Sequence, residues 1–280
     1  MESSSKGTLL VTISVTLTAL FSICAYMVHP HSGIINFALA TFIFIGYYAF
    51  SLFTYHSFLH AYSDVIFLVF NGTDKRFVLL LFWSICVICT LLFAVVVHVS
   101  DRCSTFHRKF FHLTASLVCV SGILYDIEFT WMAAWLMICC FVIVEVLRSL
   151  NVFPWYSYLN EWLLVFIDSQ DSEKHIFTPI YLIIGIFIPV LLSSPYNIDS
   201  RHLYHFAGVL TVGVGDSFAA IVGSLYGVHK WKGTQKSLEG SLAMIVLRII
   251  AAAFFCTYVE AKSRRVDNIV LPIIAYLMLF

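Results

Sequence analysis

Apolar residues run in long blocks along this chain, broken by short polar intervals. A helix rises about 1.5 Å per residue, so about 20 apolar residues cross the hydrocarbon core of a bilayer. Runs of that order fall at Leu9–Val28, Ile34–Phe53, Phe77–Val99, Phe111–Tyr125, Trp131–Leu147, Ile176–Ser194, Leu203–Tyr226 and Leu242–Val259. The shorter block Phe58–Phe70 fits either a re-entrant or an interfacial helix, and Ile269–Phe280 is too short to cross unaided. Only helices and closed barrels satisfy their backbone groups in lipid. The pattern therefore predicts an all-α, polytopic transmembrane helical bundle of about eight spans. The first run has no small-residue cleavage site after it and reads as an anchor rather than a signal peptide.

Composition agrees. Hydrophobic residues make up 60% of the 280 positions and charged residues 11%, with a mean hydropathy of +0.91. Soluble domains carry about 25% charged residues. Lysines and arginines number 16, as do the acids, so no global charge calls for nucleic acid, and any basic function must be local. Cysteines lie mostly within apolar runs, where a thiol acts as a small hydrophobe. Cys86 and Cys89 form a CxxC with no second pair, which argues against zinc or redox use. His56 and His60 have metal-ligand spacing but no evident third ligand, and Asn71 opens a sequon that abuts a span.

Local charge sets orientation. Arg102, Arg108 and Lys109 precede the fourth span, Arg148 and Lys174 follow the fifth, and Lys230, Lys232 and Lys236 follow the seventh. By the positive-inside rule this set faces the cytosol. Lys262, Arg264 and Arg265 conflict with it, because one full span after the lysine loop puts them on the other side.

The candidate chemistry is concentrated between Gly213 and Gly240, GVGDSFAAIVGSLYGVHKWKGTQKSLEG. Gly215, Ala219, Gly223 and Gly227 recur every four residues, a ridge against which a helix or a ligand can approach the backbone. Asp216 lies in an apolar helix, where an ionisable group is costly without a partner or an ion. Either it holds Mg²⁺, a hard cation that takes carboxylate and phosphate oxygens, or it pairs with Arg248 of the next span. Beyond it the three lysines supply point charges for a polyphosphate, Gly233 permits a tight turn, and Ser237 can cap the next helix. Trp231 suits base stacking or interfacial anchoring, and Glu239 a second metal contact or the helix dipole. No GxxxxGK[ST] is present, so this is not a P-loop.

This stretch resembles the CTP-binding signature of the polyprenol kinase family, and closely that of its dolichol kinase branch. RKFFHL (Arg108–Leu113), the Glu145–Arg148 pair, FIDSQDSEKHIFTPIYLIIG (Phe166–Gly185) and EA…VDN (Glu260 to Asn268) are similar to further segments of that family. The resemblance covers roughly Thr105 onward. It divides the chain into N-terminal transmembrane helices of unassigned role at 1–104 and a CTP-binding transmembrane module at 105–280. It implies an endoplasmic reticulum membrane enzyme, its nucleotide site facing the cytosol, that phosphorylates dolichol from CTP with Mg²⁺ and so supports protein glycosylation. The implied catalytic residues are Asp216, His112, Arg108 and Lys109. The implied nucleotide contacts are Gly215, Gly223, Gly227, Lys230, Trp231, Lys232, Gly233, Thr234, Lys236, Glu239 and Gly240. Asp216 and Glu239 are the implied metal ligands, with Glu145, Arg148, Asp168 and Asp171 as further candidates. Membrane lipids surround the whole.

The chain departs from the family pattern in places. Gln235 precedes Lys236 where a second lysine is expected, Ser237 replaces a threonine, and Gln170 and Pro179 stand for Arg and His. Only about one span fits between Glu239–Gly240 and Glu260–Ala261, where the family has more. Several rival readings stay open: a CTP-using cytidylyltransferase, a kinase of a shorter prenol, an inactive shortened isoform, and a transporter built on an Asp216–Arg248 pair.

Overall fold

The structure, a computed structural model, describes residues 2–54, 58–70, 75–100, 105–163, 175–193, 202–234 and 236–262. The elements are α1 (Glu2–Val28), α2 (Ser32–Phe53), α3 (Phe58–Phe70), α4 (Arg76–Ser100), α5 (Thr105–Tyr125), α6 (Ile127–Ser149), α7 (Trp155–Leu163) and α8 (Thr178–Leu191). A 3₁₀ turn (Leu203–Phe206) and a π-helix (Val209–Gly215) then lead into α9 (Asp216–Leu225), and α10 covers Leu238–Lys262. Among the described residues the only extended pairing is an antiparallel bridge between Lys230 and Ser237.

Polar contacts sort the helix ends into two groups. At one end Arg76 meets Asp126, the Arg76 Nη1 donates to the Leu68 carbonyl, Lys6 pairs with Asp64, and Trp131 Nε1 donates to the Leu191 carbonyl. At the other, Tyr26 contacts Ser149, Asn36 donates to the Phe153 carbonyl, Phe93 stacks on Phe110, and the Ile176 N–H donates to Glu145. Helices α1, α2, α4, α5, α6, α8, the π-helix with α9, and α10 run between these two ends. Eight crossings among the described residues match the apolar runs. Five of them are long and apolar enough to span by composition alone: Ser4–Val28, Ser32–Phe53, Arg76–Val97, Ile127–Ser149 and Leu203–Leu225.

Helix α3 does not cross. It follows the end of α2 and precedes Arg76, both at the Asp126 end, and it lays Ala61 and Leu68 on Phe50, Leu9 and Ile13. The ambiguity over Phe58–Phe70 thus resolves to a helix lying at one end of the bundle. Helix α7 is its counterpart at the opposite end, an element absent from the expected spans. Its Trp155, Tyr156, Tyr158 and Trp162 are exposed, as aromatic residues at a membrane interface are. Helix α8 is shorter than the run Ile176–Ser194 suggested, with Pro179 in its first turn and Pro189 inside.

One core joins the two halves of the chain. Val11 and Leu79 pack with Cys119, Ile123, Phe129, Ile186, Phe187, Val190 and Val209. A second cluster sets Phe21, Ala25 and Ile35 against Val146, Leu147 and Val152. Phe37, Ile43, Leu92 and Val96 point outward, as helices embedded in lipid require. Helix α10 is continuous to Lys262, so its end lies opposite the lysine loop, the arrangement the charge pattern flagged.

Candidate active site

Two sequence motifs meet where α5 begins and α9 begins. Lys109, in the first turns of α5, forms an ion pair with the Oδ2 of Asp216. Lys109 is largely buried, while the Asp216 side chain is 48% exposed. His112, one turn on from Lys109, places Nδ1 3.9 Å from the same carboxylate oxygen. These residues stand on one helix face, as a spacing of three requires.

The backbone before Asp216 is what turns it this way. The Asp216 N–H bonds to the Thr211 carbonyl, five residues back, in π rather than α geometry. The Val212 carbonyl, which an α-helix would give to Asp216, instead accepts from His112 Nδ1 at 3.1 Å. A carbonyl only accepts, so Nδ1 carries the proton of this bond. Such π segments are frequent at functional sites.

The lysines lie on a closed hairpin. Leu238 N–H donates to the His229 carbonyl (2.8 Å), Lys230 bridges Ser237, and Trp231 N–H donates to the Lys236 carbonyl (2.9 Å). Thr234 N–H returns to the Trp231 carbonyl (3.0 Å), and Gly233 takes the positive φ of 75° that the turn needs. Lys230 and Lys236 therefore stand on facing strands one step out of register, with Lys232 exposed at the tip. Trp231 is anchored by its indole N–H to Ser241 Oγ (2.9 Å) and keeps half its surface exposed. Glu239 accepts from His229 Nδ1 (2.8 Å) and from the His229 N–H (3.1 Å). These bonds hold the Glu239 carboxyl down at about 2, the His229 side chain being the largest cause.

The glycine ridge serves helix packing. Ser237 is buried and caps α10 by accepting from the Gly240 N–H (3.1 Å). Its hydroxyl lies where a Cβ on Gly223 or Gly227 would go, and a Cβ on Gly240 would meet the Ala219 carbonyl. Gly215 faces Met244 in the same seam. The ridge thus seats α10 against α9 and sets the hairpin between them.

No protein-family profile matches the chain, and no solved structure does. Curated relatives do. The chain is 31% identical to dolichol kinase of Homo sapiens over 245 residues, which cover 74% of this chain and 45% of that protein. It is 34% identical to dolichol kinase of Saccharomyces cerevisiae over 197 residues, 61% of this chain and 36% of the relative. With dolichol kinase EVAN of Arabidopsis thaliana it shares 26% over 246 residues, 79% of this chain and 43% of the relative.

The chain is a homologue of the dolichol kinases. It spans about half the length of the curated relatives it matches. Glu145 and Arg148, another point of likeness to dolichol kinases, form a buried two-pronged pair, Nε to Oε2 at 2.9 Å and Nη2 to Oε1 at 2.8 Å. Arg148 also reaches Asn160 of α7 (3.2 Å), and Glu145 accepts from the Ile176 N–H (2.9 Å). The pair is thereby committed to joining α6, α7 and the approach to α8. Asp168 and Asp171 lie outside the described residues, as do Gln170, His56, Asn71 and Gln235. The side chains of Arg108 and Glu260 are likewise outside them.

Arg248 is not the partner of Asp216; Lys109 is, and the Arg248 Nε is buried without a hydrogen bond among the described residues. Pro179, at the position expected to hold His in dolichol kinases, starts α8. No group of three metal-ligating side chains occurs among the described residues. Asp216 offers a half-exposed carboxylate, the kind of oxygen donor that Mg²⁺ takes together with phosphate and water.

Proposed function

We propose that this chain transfers the γ-phosphate of CTP to the hydroxyl of dolichol at the cytosolic face of the endoplasmic reticulum membrane. The observation that carries the reading is the Lys109–Asp216 pair with His112 beside it, because it joins two separate dolichol-kinase-like motifs in one place. Asp216 lies nine residues before the end of α9, roughly 13 Å below that end of the bundle. A membrane-held alcohol can meet a nucleotide from the aqueous side there.

Phosphoryl transfer needs chiefly positioning and charge stabilisation. The lysines of the hairpin, Lys230, Lys232 and Lys236, supply positive charge to the polyphosphate, and Trp231 offers an exposed ring to the base. Lys109 supplies positive charge beside the transferred group and is oriented by Asp216. The alcohol proton passes to His112 as the oxygen attacks the γ-phosphorus; the bond to CDP breaks and CDP leaves. Asp216 would hold Mg²⁺, which when bound would supply charge neutralisation for the phosphate oxygens. Arg108 is assigned to the same group by its motif. The long prenyl chain stays in lipid, where each buried CH₂ contributes about 0.8 kcal/mol.

The test is transfer from γ-labelled CTP to dolichol in membranes that carry the chain and lack other dolichol kinase activity. Labelled dolichyl phosphate with release of CDP, abolished by Asp216→Asn, is the expected result. Release of pyrophosphate with a CDP-lipid product would mark a cytidylyltransferase. No product from correctly inserted protein would make this an inactive relative, and preference for farnesol or phytol would reassign the acceptor.

A further inference from the structure

We infer that Glu239 and His229 form a clamp that fixes the spacing of Lys230 and Lys236, making Glu239 a positioning residue of the nucleotide loop and not a ligand to the cation. This rests on the reading of the hairpin as the CTP site. The sequence offers this carboxylate to a metal or to the helix dipole, but its oxygens are already engaged. Oε1 accepts from His229 Nδ1 (2.8 Å) and from the His229 N–H (3.1 Å), and Oε2 lies 3.3 Å from that same N–H. A cation there would have to displace two directed donors.

The clamp's location gives it a task. His229 is the last residue before one lysine-bearing stem and Glu239 lies just past the other, so their contact ties both stems at the base. Two hydrogen bonds follow inward from it, Leu238 N–H to the His229 carbonyl and Trp231 N–H to the Lys236 carbonyl, and together they form the Lys230–Ser237 bridge. Trp231 Nε1 to Ser241 Oγ braces the same side. Before nucleotide binds, three like charges on a short turn repel one another and favour opening. The base contact opposes that, and its carboxylate stays ionised throughout the neutral range. A preformed mouth loses less ordering entropy on binding, which improves affinity rather than the chemical step.

The experiment measures kcat, KM for CTP and the Mg²⁺ requirement at saturating CTP for Glu239→Ala, His229→Ala, the double variant and His229→Asn, all in the full chain in membranes. Loss of a solvent-exposed charged contact predicts that each alanine variant raises KM by about two- to fivefold with kcat within about twofold. The double variant should be no worse than either single, because the two side chains make one contact. His229→Asn, whose amide N–H₂ can stand in for Nδ1–H, should restore KM, and the Mg²⁺ requirement should not move. The clamp is overturned if Glu239→Ala raises the Mg²⁺ requirement while His229→Ala does not, if the two losses add, or if asparagine fails to rescue. Should the unaltered chain transfer nothing from CTP, only the kinase reading falls. The clamp is then read from Trp231 emission, expected to shift in both alanine variants and not in His229→Asn; no shift in the alanine variants overturns it.

Discussion

Arg76 grips Asp126 through Nε at 2.7 Å and Nη2 at 2.6 Å, at the end of the bundle far from Lys109. Both side chains are buried, Arg76 also donates to the Leu68 carbonyl, and Asp126 caps α6 by accepting from the Phe129 N–H. One contact thus joins α3, α4, and the turn between α5 and α6. Removing one partner of such a pair leaves a buried charge, at a cost of about 3–5 kcal/mol. Arg76→Ala should lower the thermal unfolding midpoint of detergent-solubilised protein markedly. Replacing both residues by apolar ones should cost less than the single change.

Lys109 and Asp216 should behave as reacting-site groups rather than as a packing pair. Asp216→Asn and Lys109→Gln preserve shape and remove charge, and loss of such electrostatic stabilisation lowers kcat by about 10²–10³. Exchanging the two residues restores an ion pair but not the direction of its charges. The exchanged chain should stay folded and remain inactive; recovered transfer would make the pair merely structural.

Gly240 and Gly33 make a matched comparison. A methyl group on Gly240 would strike the Ala219 carbonyl, whereas one on Gly33, in the first turn of α2, meets nothing within 4 Å. Overpacking costs about 1–3 kcal/mol, while alanine for glycine in a helix gains up to about 1 kcal/mol. Gly240→Ala should destabilise the chain and weaken CTP binding; Gly33→Ala should leave binding alone and match or exceed the original stability.

The hairpin should tolerate acid. Glu239 is held at about 2, below its ordinary 4.5, so its contribution to closure is complete above 4.5 and lost as pH falls toward 2. Trp231 emission, isolated by comparison with Trp231→Phe, should be flat from neutrality to about pH 5 and change between 4.5 and 2. A transition confined to a higher pH would point to a group other than Glu239.

The spans were legible because lipid demands long apolar runs, and eight of them appear where the blocks of Leu, Ile, Val and Phe lie. What sequence concealed is contact across distance. Asp216 had two readings, metal ligand or partner of Arg248, and its ion-pair partner proved to be Lys109, 107 positions earlier. Periodicity cannot reveal such a pairing. Asp126 stands just before the apolar residues from Ile127, a helix-start signal that extends α6 ahead of the expected span Trp131–Leu147. Helix α7 escaped because nine residues with mixed polarity form no run, yet WYSYLNEWL is rich in Trp and Tyr, as segments at a membrane interface are. The site motifs themselves were visible; the bond from His112 to Val212 and the closure of His229 on Glu239 depend on backbone geometry that composition does not encode.

The π-helix from Val209 to Gly215 has the effect of a one-notch offset between two lengths of gearing. It holds one residue more than an α-helical path would need, so everything after it is turned by about 100° relative to what comes before. The upstream part meshes with α8, through Val212 packed against Gly185, while Asp216 is delivered to α5. Deleting a single residue within this segment would remove the offset without altering any charged group. The bundle would keep its hydrophobic content, yet Asp216 would swing away from Lys109 and the lysine hairpin would turn with it. The alignment of the whole site therefore depends on a residue count, and an insertion or deletion there should be more damaging than most substitutions.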